Sequence, residues 1–178
     1  MSTKTFTSGP ILSPLLKFAI PVVFALILQS LYGAVDLLVV GQFASSADAS
    51  AVSTGSQIMQ TLTNVIAGLS MGTTILLGQQ LGQKEYRKAG KTIGASIVFF
   101  AIVGILFSIF VFCFSRQISA WMNAPKAAFA QTVSYVSICG AGMVLITAYN
   151  LLGSLFRGVG DSKIPLISVM IAAIINVL

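Results

Sequence analysis

The chain has 178 residues, 56% hydrophobic and only 8% charged, with a mean hydropathy of +0.96 and a formal net charge of +6. A soluble domain of this length could not hide so much apolar surface, so the composition describes an integral membrane protein. With no histidine and four acids, there is too little for hydrolytic or metal chemistry, and the chain is not read as an enzyme. The basic residues lie between hydrophobic segments, which points to membrane topology and away from nucleic acid.

A short polar lead, residues 1–13, carries Lys4. The first span is expected at 15–41, where eighteen uncharged residues separate Lys17 from Asp36. At 1.5 Å per residue the acid lies about 28 Å beyond Lys17, and Leu37, Leu38, Val39 and Val40 continue the apolar run. An acid near mid-membrane costs about 2.5–3.5 kcal/mol, less towards the edge, so it should face protein or water. Gln29, Tyr32, Gly33 and Asp36 recur at helical spacing and share one face. Asp36 therefore has two readings: an acid snorkelling to the interface, or a proton- or cation-binding carboxylate lining a cavity. The segment is too long for a signal-peptide core and lacks a small-residue cleavage site, so it is expected to stay.

The second span, 51–78, is polar for a lipid-facing helix. Gln57, Gln60, Asn64, Gly68 and Met71 form one stripe that belongs either in a cavity wall or between packed helices, as interhelical glue. The connection that follows mixes glycines with Lys84, Arg87, Lys88 and Lys91. Gly78, Gly82 and Gly90 do not make the phosphate-cradling GxxxxGK[ST] spacing, so the loop reads mainly as a topology determinant, with contact to anionic head groups as a lesser role.

The third span, 92–115, is apolar all round and is expected to meet lipid over much of its surface. The loop after it, with Trp121 and Met122, reads as a helix lying at the interface. In the fourth span, 129–156, Thr147, Asn150 and Ser154 share a face and suggest either a second cavity wall or ordinary packing. Gly158 and Gly160 allow a tight turn, Asp161 can cap the next helix, and Pro165 fits its first turn. The fifth span, 164–178, is incomplete and carries Asn176 in its apolar run. Cys113 and Cys139 lack metal or redox spacing and read as small packing residues.

Eight basic residues, Lys17 at the start of the first span included, fall in or beside the N-terminal lead and in the 79–91 and 157–163 loops, against Arg116 and Lys126 on the other side. This asymmetry predicts a cytoplasmic N-terminus.

Several segments in order resemble the N-terminal lobe of multidrug and toxic compound extrusion (MATE) transporters. They are Ala19–Pro21, Tyr32–Phe43 (YGAVDLLVVGQF), Gly78–Ala89 (GQQLGQKEYRKA), Phe156–Pro165 (FRGVGDSKIP) and Asn176. The resemblance covers essentially the whole chain. It implies an all-α polytopic bundle, about five helices of a six-helix lobe, in a bacterial-type plasma (inner) membrane. It implies export of small organic, often cationic compounds in exchange for H⁺ or Na⁺, with no cofactor beyond that ion. On this resemblance Asp36 and Asn176 hold the coupling ion, Pro21 marks a bend in the first helix, and Gln29 faces the cavity. Tyr32, Gln57, Gln60, Asn64 and Asn150 are the further candidates for the cavity wall. The sixth helix and second lobe are absent, so a missing C-terminal lobe or a second copy is the expected partner, beside the lipid bilayer. The rival readings are a lipid-linked oligosaccharide flippase of the same superfamily, which should show basic residues within its spans, and a non-transporting membrane fragment or assembly subunit.

Overall fold

A computed structural model describes residues 12–177, with the side chains of Tyr32 and Val177 outside the description. The polar lead up to residue 11, Lys4 included, and Leu178 likewise lie outside the described residues. Among those described there is no strand. The helices are α1 (Leu12–Phe43), α2 (Ser46–Gly82), α3 (Tyr86–Trp121), α4 (Phe129–Ala141), α5 (Met143–Gly158) and α6 (Lys163–Val177). An all-helical answer is what the composition demands, because a helix satisfies its own backbone polar groups where lipid offers no partner. The first three helices are each long and apolar enough to cross a membrane. The pair around α4 and α5 makes a fourth span if taken together, and α6 is a shorter apolar helix.

The helix ends are built by local chemistry. Ser45 caps α2, its Oγ accepting the Asp48 N–H at 3.2 Å while its hydroxyl donates to Asp48 Oδ2 at 2.6 Å, a close variant of the capping box. Three helices end in the same double hydrogen bond. At α2, Glu85 N–H reaches Gln80 O and Lys84 N–H reaches Leu81 O; Ala124 with Asn123 ends α3 and Asp161 with Gly160 ends α5 in the same way. The motif needs a left-handed residue after the cap, and Lys84 (φ 61°), Asn123 (φ 51°) and Gly160 (φ 83°) supply it. Asp161 Oδ1 then accepts the N–H groups of Lys163 (2.9 Å) and Ile164 (3.3 Å) and caps α6.

Two expectations are corrected. The stretch 115–121 is the last part of α3 and not a separate interfacial helix, because nothing before Asn123 and Pro125 interrupts helix formation. A single 3-10 turn, Lys126–Ala128, leads into α4. The expected continuous span 129–156 is broken at Gly142, and its two parts are bent by 53°. There Leu145 N–H bonds Gly142 O instead of continuing the ladder. Ser108 Oγ, from α3, donates to Gly140 O (2.9 Å) and Ala141 O (3.2 Å). Carbonyls left without a helical donor are tolerated in an apolar setting only when a neighbour serves them.

Two compact units emerge, and each has its own interior. The first draws on Met1–Ala34, Leu69–Ile97 and Leu151–Leu178. Its interior is rich in hydroxyls. Arg157 Nη2 donates to Ser154 Oγ (2.9 Å), Ser154 Oγ donates to Ser70 Oγ (2.9 Å), and Thr74 Oγ1 donates to Ser154 O (2.9 Å). The hydroxyls of Thr73 and Ser96 meet at 3.2 Å, and Thr92 donates to Gln80 Oε1 at 2.8 Å. Beside this network Leu77 packs on Gly158, where an added Cβ would lie 3.0 Å from Leu77 Cδ2.

The second unit, Val35–Gly68 and Val98–Asn150, is held by close packing. Ile58, Val111 and Val136 form its buried centre, with Leu62, Ile118 and Tyr135 against them. The Tyr135 ring lies on Gly55, where no Cβ could fit, and its hydroxyl is 3.1 Å from Ser56 Oγ. At Gly140 a Cβ would stand 2.7 Å from Val111 Cγ1 and 3.2 Å from the Phe112 backbone nitrogen. Helices approach this closely in membranes where one of them is small at the contact.

α3 is built with small residues inward. Its buried positions, Ala89, Ser96, Phe100, Gly104, Val111, Ser115 and Ser119, recur at intervals of seven and four, whereas Ile102, Ile105, Leu106, Ile109 and Phe112 are exposed. Large apolar side chains gain nothing by leaving lipid for protein, so the inward stripe is free to be small and hydroxylated.

Candidate functional site

The candidate site begins with α1, an apolar helix that carries one carboxylate. Among its described side chains Ala25 alone is buried, so Asp36 stands on a helix that is exposed nearly all round. Pro21 lies within the continuous helix, where it is half-buried, as is Gln29. Tyr32 is placed in α1 by its backbone only.

α2 is two-faced. Ala51, Gly55, Ile58, Met59, Ile66, Ser70, Thr73 and Leu77 are buried along one side at helical spacing. Gln57, Gln60, Asn64, Gly68 and Met71 are exposed along the other. The amide stripe is therefore not consumed by packing among the described residues. A lipid-facing row of amides would leave their polar groups without partners in hydrocarbon, at a cost of several kcal/mol each by about the cyclohexane scale. Water, ligand or further protein is the compatible neighbour.

The expected wall in the fourth span separates differently. Thr147 is buried, donates to Met143 O at 2.8 Å, and packs on Gly104, where a Cβ would stand 3.2 Å from Thr147 Cβ. Ser154 is the centre of the hydroxyl network in the first unit. Both are packing residues and not cavity lining. Asn150 is half-buried and turns Nδ2 to Ile146 O at 2.9 Å.

Of the predicted site residues, Asp36, Gln57, Gln60, Asn64 and Asn150 fall in the second unit, and Pro21, Gln29 and Asn176 in the first. Asn176 is exposed in the last turn of α6. No group of three or more acidic, cysteine or histidine side chains able to hold a metal occurs among the described residues. A cavity of about 280 Å³ in the second unit is lined by Ser108, Ile109, Phe112, Cys113 and Ala141. It flanks the break in the fourth span and contains none of the predicted residues.

Two residues that sequence reasoning passed over matter to the architecture around the site. Tyr135 locks α4 to α2 through Gly55 and Ser56, and the run of small residues at 53–56 was its signal. Ser108 supports the break at Gly142, and the Gly-Ala-Gly of 140–142 was the trace of it.

Comparison with known proteins agrees in kind. The chain is 27% identical over 176 residues to a probable multidrug resistance protein, YpnP, of Bacillus subtilis, covering 99% of this chain and 40% of that protein. It is 25% identical over 160 residues to a second such protein, YoeA, from the same organism, covering 90% of this chain and 35% of that one. It is 21% identical over 173 residues to the multidrug export protein MepA of Staphylococcus aureus, covering 97% and 38%. The chain thus spans about two fifths of the length of these relatives. No solved structure matches it. The MatE family model matches residues 21–178, from the proline of α1 through α6, and the chain belongs to that multidrug and toxic compound extrusion family.

Proposed function

We propose that this chain forms the greater part of the N-terminal lobe of a multidrug efflux antiporter, exporting small organic, often cationic compounds in exchange for H⁺ or Na⁺. The observation that carries the reading is Asp36, a carboxylate on an otherwise uncharged stretch of α1 from residue 18 onward, in a chain of the MatE family. The family supports the transporter class, and the names of the relatives support the substrate class.

In this reading Asp36 is ionised while its surroundings are wet and is neutralised by H⁺ or Na⁺. Asn176 is the second coupling-ion residue that the family resemblance implies; the amides of Gln57, Gln60 and Asn64 offer neutral oxygens on the exposed face of α2, and Gln29 and Asn150 are further candidates for the cavity wall. Neutralisation removes the favourable field that holds a cationic substrate, and α1 repacks with Pro21 as its weak point, since proline deletes one rung of the helical ladder. Coupling requires that ion and substrate each favour one of two conformations. One lobe cannot supply both gates, so a C-terminal lobe or a second copy completes the transporter. The excess of basic residues around the 83–85 and 159–162 turns supports a cytoplasmic N-terminus in a bacterial plasma membrane.

The test is ion-driven efflux of an organic cation such as ethidium, measured in vesicles containing this lobe joined to its second lobe, with Asp36→Asn against the unsubstituted protein. The substituted protein should insert in equal amount and lose the ion-driven component. Undiminished efflux would overturn the assignment.

A further inference from the structure

The densest charge on the described surface is the turn that joins α2 to α3. Lys84, Arg87, Lys88 and Lys91 put four of the chain's ten basic residues within eight positions, and all four are exposed. The neighbouring acid answers only one of them, because Glu85 Oε1 is held by Lys88 Nζ at 2.7 Å. Lys84, Arg87 and Lys91 make no ion pair among the described residues. The first turn of α3 contains no acid, and cations at this end of a helix are opposed by the backbone dipole. Among the described residues Glu85, which caps α3, pairs with Lys88 alone, so Arg87 and Lys91 on the first turns of α3 present uncompensated positive charge outward.

What lies against it is indicated by the residues that follow. One to two turns beyond Lys91, Ile97, Val98 and Phe99 are exposed and apolar, and they open the most apolar span in the chain. Tyr86, 65% exposed, is an aromatic residue of the kind that settles at head-group depth. The cations thus stand at the level where a bilayer presents its phosphates. We propose that Lys84, Arg87 and Lys91 form a docking surface for the head groups of anionic phospholipid. Charge asymmetry alone orients a protein without selecting a lipid; this surface selects one.

The experiment is native mass spectrometry of the purified full chain in detergent, with phosphatidylglycerol and phosphatidylcholine of equal acyl length competing for it. Each basic residue near an anionic surface is worth about fivefold in affinity, and phosphatidylcholine carries the same phosphate but no net negative charge, so a preference of at least about fivefold for phosphatidylglycerol is expected. The K84Q/R87Q/K91Q variant should bring the two lipids close to parity. The R116Q/K126Q variant, which removes exposed cations elsewhere, should keep the preference. Parity in the unsubstituted chain, an undiminished preference in the triple variant, or an equal loss in R116Q/K126Q would overturn the proposal. Displacement of phosphatidylglycerol by inorganic phosphate at matched ionic strength would also overturn it, by assigning the surface to a free anion.

Discussion

The two units solve the same problem by opposite means. In the first, helices meet mainly through hydroxyls gathered on Ser154; in the second, they meet mainly through glycines that let a ring or a branched side chain sit on bare backbone. Neither relies on the hydrophobic effect, which gives no drive between helices already in lipid. The lesson is that membrane packing has two separable currencies, directional bonds and close approach, and one short chain uses both.

Substitutions can break that contrast, and the largest effect is expected in the second unit. Gly140→Ala would force its methyl against Val111 Cγ1 and the Phe112 backbone. Overpacking of this kind costs about 1–3 kcal/mol, set against about 1 kcal/mol of better helix propensity. A net loss of up to about 2 kcal/mol is expected when unfolding is followed in bicelles; a neutral result would mean that α3 and α4 have room to separate. Next is Ser154→Ala, which removes the hydroxyl that joins α5 to Ser70 of α2 and should cost about 0.6 kcal/mol or somewhat more, since interhelical bonds in membranes average about 0.6 kcal/mol each and the bond from Arg157 within α5 is lost with it. A loss equal to that of Gly140→Ala would erase the distinction between the units. Smallest is Tyr135→Phe, which keeps the ring on Gly55 and deletes the hydroxyl that meets Ser56, for about 0.5 kcal/mol by the same scale. A larger penalty there would show that the second unit also depends on its hydroxyl.

What the sequence made legible is what depends on local chemistry. The left-handed Gly160, the capping Asp161 and the charged turns could be placed from residue type alone, and the amide stripe of α2 emerged as an exposed face because amides spaced by three and four must share one. The break at Gly142 left only the Gly-Ala-Gly of 140–142 as its trace, because an uncharged run in a membrane chain carries no charge to mark where helix yields to kink. Only Ser108, thirty-two positions away, makes that break tolerable. For Ser154, Thr147 and Asn150 the sequence left cavity wall and ordinary packing both open, since helical spacing reports a shared face but not what that face meets. Lys84 was read only as a charge, and its left-handed backbone follows from where α2 ends. For Asp36 and Asn176 the sequence supplied chemistry and position, and their roles depend on an ion and a second lobe.

The link between α2 and α3 is three residues long, 83–85, and this bears on how the protein enters a bilayer. α2 is the least apolar of the long helices and α3 the most. Polar side chains on α2 weaken its own case for leaving the aqueous channel of the insertion machinery, whereas α3 partitions readily. Tied this tightly, and joined by Thr73–Ser96 and Gln80–Thr92 near the turn, the two helices are suited to partition as a hairpin. The strongly apolar partner, synthesised second, brings in the one that carries the amides.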